Sequence, residues 1–285
     1  METFFSFLEN RVDDCSSLLC VGLDPHVSDL SAPTADAALT FCLNLVKQTA
    51  PYAAAFKPNA AFFEVFGAKG WTVLRQVISA IQDESDRMGS MIPVILDAKR
   101  GDIASTAEAY AQSAFGKLGV HGITLNPYLG KDSIDPFLTN QERGVFLLCK
   151  TSNPGAGDLQ DLLVTENEGP TTEAATSVPL YIHVAKLAQQ WNTRNNIGLV
   201  VGATQPEALT RVRAAAPDLW FLAPGVGAQG GDLETALKAG LRQDGKGMLL
   251  PVSRGISRAA NPAKAAAELR DEIVNIKRDL YRKGH

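Results

Sequence analysis

Residues 95–106 read ILDAKRGDIAST, an apolar run that ends in two acids with a lysine between them. Side chains alternate across an extended strand, so Asp97 and Lys99, two apart, are expected to point the same way while Ala98 points the other. A structural ion pair is one reading of Asp97 and Lys99, and a helix cap or dipole partner is one reading of Asp102. Buried pairs often fail to repay their desolvation, however, so a strand end carrying such a pair and a second acid is an expensive way to make a core. A polar array at that place points instead to function. The chemistry it offers is that of a fixed cation. A buried lysine without a charged neighbour tends to shed its proton, and acids beside Lys99 would favour its charged form.

The elements that must position these residues recur along the chain. Short aliphatic runs (SLLCVGLD, AAAFKPN, PVILDAK, HGITLNPY, GVFLLCK, IGLVVGA, WFLAPGV and GMLLPVS) alternate with amphipathic segments near 34–50, 71–88, 103–118, 131–140, 179–192, 206–215, 232–239 and 262–281. Thr34 with Asp36, and Pro206 with Glu207, are helix-start signals. Strands apolar on both faces and alternating with helices imply a parallel sheet covered by helices. Eight such units fit a closed (β/α)8 TIM barrel of α/β class better than an open doubly wound sheet. No Pro- or Ser-rich linker divides the chain, so 1–285 reads as a single barrel domain, with an insertion on its active face at about 152–178, where a long irregular stretch follows the fifth strand.

In such a barrel the C-terminal strand ends and the loops after them form the working face. The polar residues collect there: Asp24 after strand one, Lys57 and Asn59 in strand two, Asp97 and Lys99 in strand three, Asn126 after strand four, Lys150 to Asn153 after strand five, Gln229 in the glycine-rich PGVGAQGGD, and Ser253 with Arg254 at strand eight. Arg254, with the backbone N–H groups around Ser253 to Ile256, sits where barrels commonly bind phosphate, and the glycine-rich loop could close on it through Gln229.

Composition narrows the partners. With net charge −4 and scattered basic residues, no patch suits a nucleic-acid backbone or an anionic membrane. Cys15, Cys20, Cys42 and Cys149 lack C-x-x-C spacing and sit in apolar segments, as reduced, packed thiols do. His26, His121, His183 and His285 have no metal-ligand spacing and read as structural or surface residues. The acidic METFFSFLENRVDD lacks the basic start and apolar run of a signal peptide, and no apolar stretch approaches 18 residues; a cytoplasmic location is expected.

DAKRGDIAST resembles the D-x-K-x-x-D-I-x-x-T motif of the orotidine 5′-phosphate decarboxylase family, and VGLDP, FKPNAAFFE, TLNPYLG and PVSRGI resemble its first, second, fourth and eighth strand ends. The KPNAAFFE form and the long loop after CKTSN look like the subfamily with longer chains. The resemblance implies decarboxylation of orotidine 5′-phosphate to uridine 5′-phosphate, the last step of de novo pyrimidine synthesis, with no cofactor and no metal. It implies a Lys57, Asp97, Lys99, Asp102 network in which Lys99 is the cation and proton donor beside C6, Asp97 lies next to the departing carboxylate, and Lys57 links Asp97 to the ribose. By the same resemblance Asp24 holds ribose hydroxyls, Asn59 contacts the ribose or caps its strand end, and Ser152, with Thr151 as the alternative, meets the pyrimidine edge. It also implies a homodimer in which Asp102 and Thr106 complete the partner's site. Two other readings stay open: a metal-dependent sugar-phosphate decarboxylase or synthase of the same superfamily, against which Lys57 speaks because those enzymes place an acidic ligand on strand two, and a non-catalytic nucleotide sensor, which would not need the whole charge network.

Overall fold

The eight aliphatic runs form eight parallel strands in a computed structural model that describes residues 2–166, 176–226 and 231–282. They are β1 (Leu19–Leu23), β2 (Ala55–Pro58), β3 (Ile95–Arg100), β4 (Gly122–Leu125), β5 (Gly144–Lys150), β6 (Ile197–Val201), β7 (Phe221–Leu222) and β8 (Met248–Val252). Their order is β2-β1-β8-β7-β6-β5-β4-β3. The sheet curls until its edges meet through two single bridges, Phe56 with Val94 and Asn59 with Asp97, where Phe56 N donates to Pro93 O at 2.9 Å and Ala60 N to Asp97 O at 3.1 Å. Every residue of β1, β2, β4, β6 and β7 is buried, as expected of a barrel filled inside and covered by helices outside. The expected (β/α)8 barrel is therefore the fold.

The covering helices start and stop on local signals. Thr34 Oγ1 accepts from Ala37 N at 3.2 Å at the head of Ala35–Thr49, and Asp232 Oδ1 accepts from Thr235 N at 2.7 Å ahead of Leu233–Gly240. Gly89, with φ +64°, ends Gly67–Met88 in the left-handed conformation that glycine adopts without steric cost. The expected helix over 103–118 is α-helical only over Ala104–Ala111 and continues as π turns over Gln112–Leu118.

Three segments depart from the pattern. The expected helix at 131–140 is instead two 3-10 turns, Lys131–Ser133 and Asp135–Phe137, because Pro136 lacks an amide and Gly130 precedes the run with φ +89°. The stretch after β5 is less irregular than its composition suggests: a turn of helix, Gly157–Gln160, leads into an antiparallel pair, Leu163–Glu166 with Thr176–Pro179. The third, the N-terminal run, is a helix that the alternation of strands and helices does not call for, Phe4–Cys15, capped by Thr3.

That N-terminal helix closes the barrel at the end opposite the site. Its apolar stripe of Phe4, Phe5, Leu8 and Val12 is buried, and Phe4 lies so close to Gly144 that a Cβ there would stand 2.1 Å from its ring. Phe5 stacks parallel to Trp220 with centroids 6.2 Å apart and meets Phe146 edge-on at 5.6 Å. This end is sealed with aromatic rings, which leaves the C-terminal mouth as the open one.

His121 belongs to the sealed end and is structural, as its isolation in sequence suggests. Its Nδ1 accepts from Val94 N at 3.1 Å and its ring lies 5.3 Å from Phe7. Burial, and then the Arg143 guanidinium, push its pKa down to about 4. Below the unfolded value near 6.5 the unfolded chain binds a proton that the folded one refuses, so this stability is complete above about 6.5 and is lost as pH falls towards 4. Urea melts at pH 7 and 4.5 should differ by roughly 2–3 kcal/mol from this residue. His121→Gln, which retains an acceptor for Val94 N, should flatten the difference; an unchanged pH dependence would assign it elsewhere.

Candidate active site

β2 and β3 bring a lysine and an acid together across the barrel seam. Lys57 Nζ donates to Asp97 Oδ2 at 2.9 Å, and Lys99 Nζ donates to Asp97 Oδ1 at 2.5 Å. Asp97 is thus shared by two ammonium groups. Burial alone would raise its carboxyl, but Lys57 and then Lys99 hold it well below the usual carboxylate range. Burial alone would strip Lys57 of its proton, but Asp97 and then Asp24 hold it above the ordinary lysine value. The two lysines differ in setting: the side chain of Lys57 is 8% exposed, that of Lys99 50%. The buried lysine of the array is therefore Lys57, and Lys99 stands at the lip of the mouth.

Strict alternation along β3 does not hold where Asp97 and Lys99 stand. Lys99 has φ +47°, left-handed backbone that costs a residue with a Cβ about 1–2 kcal/mol. Asp97 and Lys99 meet because the strand bulges there, not because it stays extended.

Two lobes of a depression at the C-terminal mouth share Lys57, Asp97, Pro224 and Pro251. The first runs past Asp24 and Asn59 to Ser253 and Arg254. Among the described residues Asp24 Oδ1 and Ser253 Oγ are buried with no hydrogen-bond partner, and Arg254 forms no ion pair. Unsatisfied buried oxygens beside an unpaired guanidinium are what a polar, anionic ligand would satisfy. Asn59 serves its strand end, its Oδ1 accepting from Ala61 N at 3.2 Å, while still lining the lobe. The amide of Ile256 donates to Ser253 O at 3.0 Å, so it is not one of the N–H groups available to a phosphate, contrary to the expectation for that stretch.

The second lobe runs from Lys99 over Leu148, Val200 and Leu222 to Ser152 and Gln160, an apolar floor with polar groups at one edge, suited to a flat ring. Ser152 packs against Gly202, where a Cβ would come within 3.1 Å of its own Cβ. Thr151 is committed elsewhere: its amide donates to Gln160 Oε1 at 2.9 Å, and its hydroxyl lies 2.8 Å from Gln160 Nε2 and 2.6 Å from Asn153 Oδ1. Both hydroxyl residues line this lobe. Lys150 is not part of the wall; it is buried, pairs with Asp161 at 2.6 Å and pins the segment after β5 to the barrel.

Seven of the expected residues therefore converge: Asp24, Lys57, Asn59, Asp97, Lys99, Ser152 and Arg254. Asp102 and Thr106 do not join them within one chain. Asp102 accepts from the adjacent Ile103 N at 2.8 Å and forms no ion pair with Lys99, and Thr106 is exposed on Ala104–Ala111. Gln229 lies outside the described residues. Thr124 escapes sequence reasoning. It lines the second lobe and bonds to Asp97, and the only signal for it is a lone hydroxyl in the otherwise apolar GITL of β4.

Residues 17–269 match the family model described as orotidine 5′-phosphate decarboxylase / HUMPS family. The orotidine 5′-phosphate decarboxylase of Roseiflexus castenholzii is 46% identical over 281 residues, covering 95% of this chain and 97% of that protein. The solved Leishmania donovani OMP decarboxylase is 52% identical with a TM-score of 0.84, covering 96% of this chain and 99% of that one. The L. donovani UMP synthase is 54% identical with a TM-score of 0.86, and this chain spans 57% of its length. On a match that runs from before β1 to beyond β8, and on relatives aligned over nearly their full length, the chain belongs to the orotidine 5′-phosphate decarboxylase / HUMPS family.

Proposed function

We propose that the chain decarboxylates orotidine 5′-phosphate to uridine 5′-phosphate and CO2, with Lys99 as cation and proton donor. The observation that carries this reading is the Lys57–Asp97–Lys99 array at the junction of a lobe ending in Arg254 and a lobe shaped for a ring. Loss of CO2 from C6 leaves an electron pair in the plane of the pyrimidine, where no π system delocalises it. Stabilisation then falls to electrostatics, and a cation beside C6 favours the carbanion-like transition state over the substrate. Lys99, already bonded to Asp97, takes that place and passes a proton to C6. Enzymes lower barriers by about 8–23 kcal/mol, more than one ammonium supplies, so binding at the remote end contributes the rest. Arg254 takes the phosphate, Asp24 the ribose hydroxyls and Ser152 the ring edge.

The family model spans more than one activity, and Lys57 separates them. Metal-dependent relatives need an acid on β2, whereas here an ammonium occupies that place with Asp97 already bonded to it. No set of three His, Cys, Asp or Glu side chains converges among the described residues. A homodimer with one barrel domain per chain completes the reading, Asp102 and Thr106 reaching the partner's site and Gln229, outside the described residues, serving as a phosphate contact. Ile103, next to Asp102, and Tyr128 and Leu129, in the turn after β4, are exposed apolar side chains and support a covering second copy.

The purified chain should consume orotidine 5′-phosphate, followed by loss of its absorbance, equally with and without EDTA; loss of activity in EDTA would favour the metal-dependent relatives. Lys99→Ala should lower kcat by at least about 1000-fold while still binding uridine 5′-phosphate, and a wild type that binds the nucleotide without turnover would make the protein a sensor. Mixing inactive Lys99→Ala and Asp102→Ala chains tests the shared site. Random reassortment leaves one intact site in each mixed dimer, so about a quarter of wild-type activity should return, and none should return if Asp102 serves its own chain.

A further inference from the structure

Thr124 occupies an unusual place in the ladder between β3 and β4. The register runs Ile95 with Gly122 and Leu96 with Ile123, then jumps to Arg100 with Leu125. Asp97, Ala98 and Lys99 therefore lie opposite Thr124 alone. A bulge of this size strips backbone amides of their ladder partners, and buried amides must find others. The Thr124 hydroxyl supplies them: Oγ1 accepts from Ala98 N at 3.0 Å and from Lys99 N at 2.9 Å. It then donates its own proton to Asp97 Oδ1 at 3.0 Å. The direction of each bond is forced, because amides only donate and an ionised carboxylate only accepts. One donor and two acceptor sites are all that a hydroxyl has, and all are used. Thr124 is fully buried, so no water competes for them.

The same oxygen of Asp97 that takes the Thr124 proton also takes Lys99 Nζ. Thr124 thus touches the array twice, once at the left-handed backbone from which Lys99 springs and once at the carboxylate that Lys99 meets.

We propose that Thr124 is a positioning residue for decarboxylation: its hydroxyl holds the bulge that aims Lys99 across the mouth and sets the rotation of the Asp97 carboxylate beside it. This rests on the decarboxylase reading of the site. A filler of the strand would serve through its volume, whereas a positioning hydroxyl serves through its three hydrogen bonds. Valine keeps the volume and removes the bonds; serine keeps the bonds and removes a methyl group.

The test compares wild type, Thr124→Val and Thr124→Ser for kcat and KM with orotidine 5′-phosphate, and for affinity for uridine 5′-phosphate. A misplacement of about 1 Å at a reacting group costs on the order of 100-fold, so Thr124→Val should lose about that factor in kcat. Its KM and its nucleotide affinity should stay within about threefold, because the phosphate and ribose are gripped in the other lobe. Thr124→Ser should recover most of the lost kcat. Should the valine variant not fold, Thr124→Cys replaces it, its thiol filling the space with a weak hydrogen-bonding group. A valine or cysteine variant with wild-type kcat overturns the proposal, as does a serine variant as slow as valine. A wild type without turnover overturns the decarboxylase reading and this proposal with it, whereas an active wild type beside an unimpaired Thr124→Val overturns this proposal alone.

Discussion

Asp97 gives Oδ2 to Lys57 and Oδ1 to Lys99, and this sharing is what lets charge stand inside the barrel mouth. Leaving one partner of a buried pair uncompensated costs about 3–5 kcal/mol, so Lys57 and Asp97, the buried members of the array, depend on each other. The location adds to this dependence. β2 and β3 are joined only by the bridges Phe56 with Val94 and Asn59 with Asp97, and the Lys57–Asp97 bond crosses the same seam. The interaction that prepares the site is also one of the few ties closing the barrel.

Charge and apolar area are divided between the two ends of the barrel. At the N-terminal end Phe4, Phe5, Phe146 and Trp220 interlock, and His121 is kept neutral. At the C-terminal end stand two buried oxygens and an arginine that have no partner among the described residues, and a residue in left-handed backbone. Each of these costs stability, and together they amount to several kcal/mol that the aromatic plug and the continuous strand core must offset. Strain and unsatisfied polarity concentrated at one end, over a well-packed other end, is the arrangement expected of a site whose missing partners arrive with the substrate.

The strands were legible because their apolar runs are buried on both faces, and the residues at their ends followed from the direction of a parallel barrel. What could not be read depends on contacts between strands. Nothing in DAKRGD reveals that three residues oppose one in β4, so alternation assigns Asp97 and Lys99 to one side for a reason that does not operate, and Thr124 passes for an ordinary strand residue. The helix expected at 131–140 failed on Pro136, a local signal outweighed by the amphipathic spacing around it. The N-terminal helix went unread because its partners, Gly144 and Trp220, are more than a hundred residues away. Only the motif resemblance directs Asp102 to a second chain; within its own chain it accepts from Ile103 N and does not cap Ala104–Ala111.

Half of the Lys99 side chain faces water in the single chain, and this bears directly on how the reaction is driven. An ammonium 4 Å from a developing anion gains about 1 kcal/mol in a water-like medium and about 4 kcal/mol at the effective dielectric of a protein surface. The array therefore fixes where the charge sits, while covering the mouth decides how much that charge achieves. In the proposed reading three groups would cover it: the substrate ring over the second lobe, the residues around Ser152 and Gln160 that line it, and, in the proposed dimer, a second copy set on Ile103, Tyr128 and Leu129. A second copy that brought Asp102 to Lys99 would exclude water and add a second anion beside the ammonium in one step. The barrel can then keep Lys99 at the lip, where the substrate reaches it, and still deliver it to a low-dielectric site when the mouth is closed.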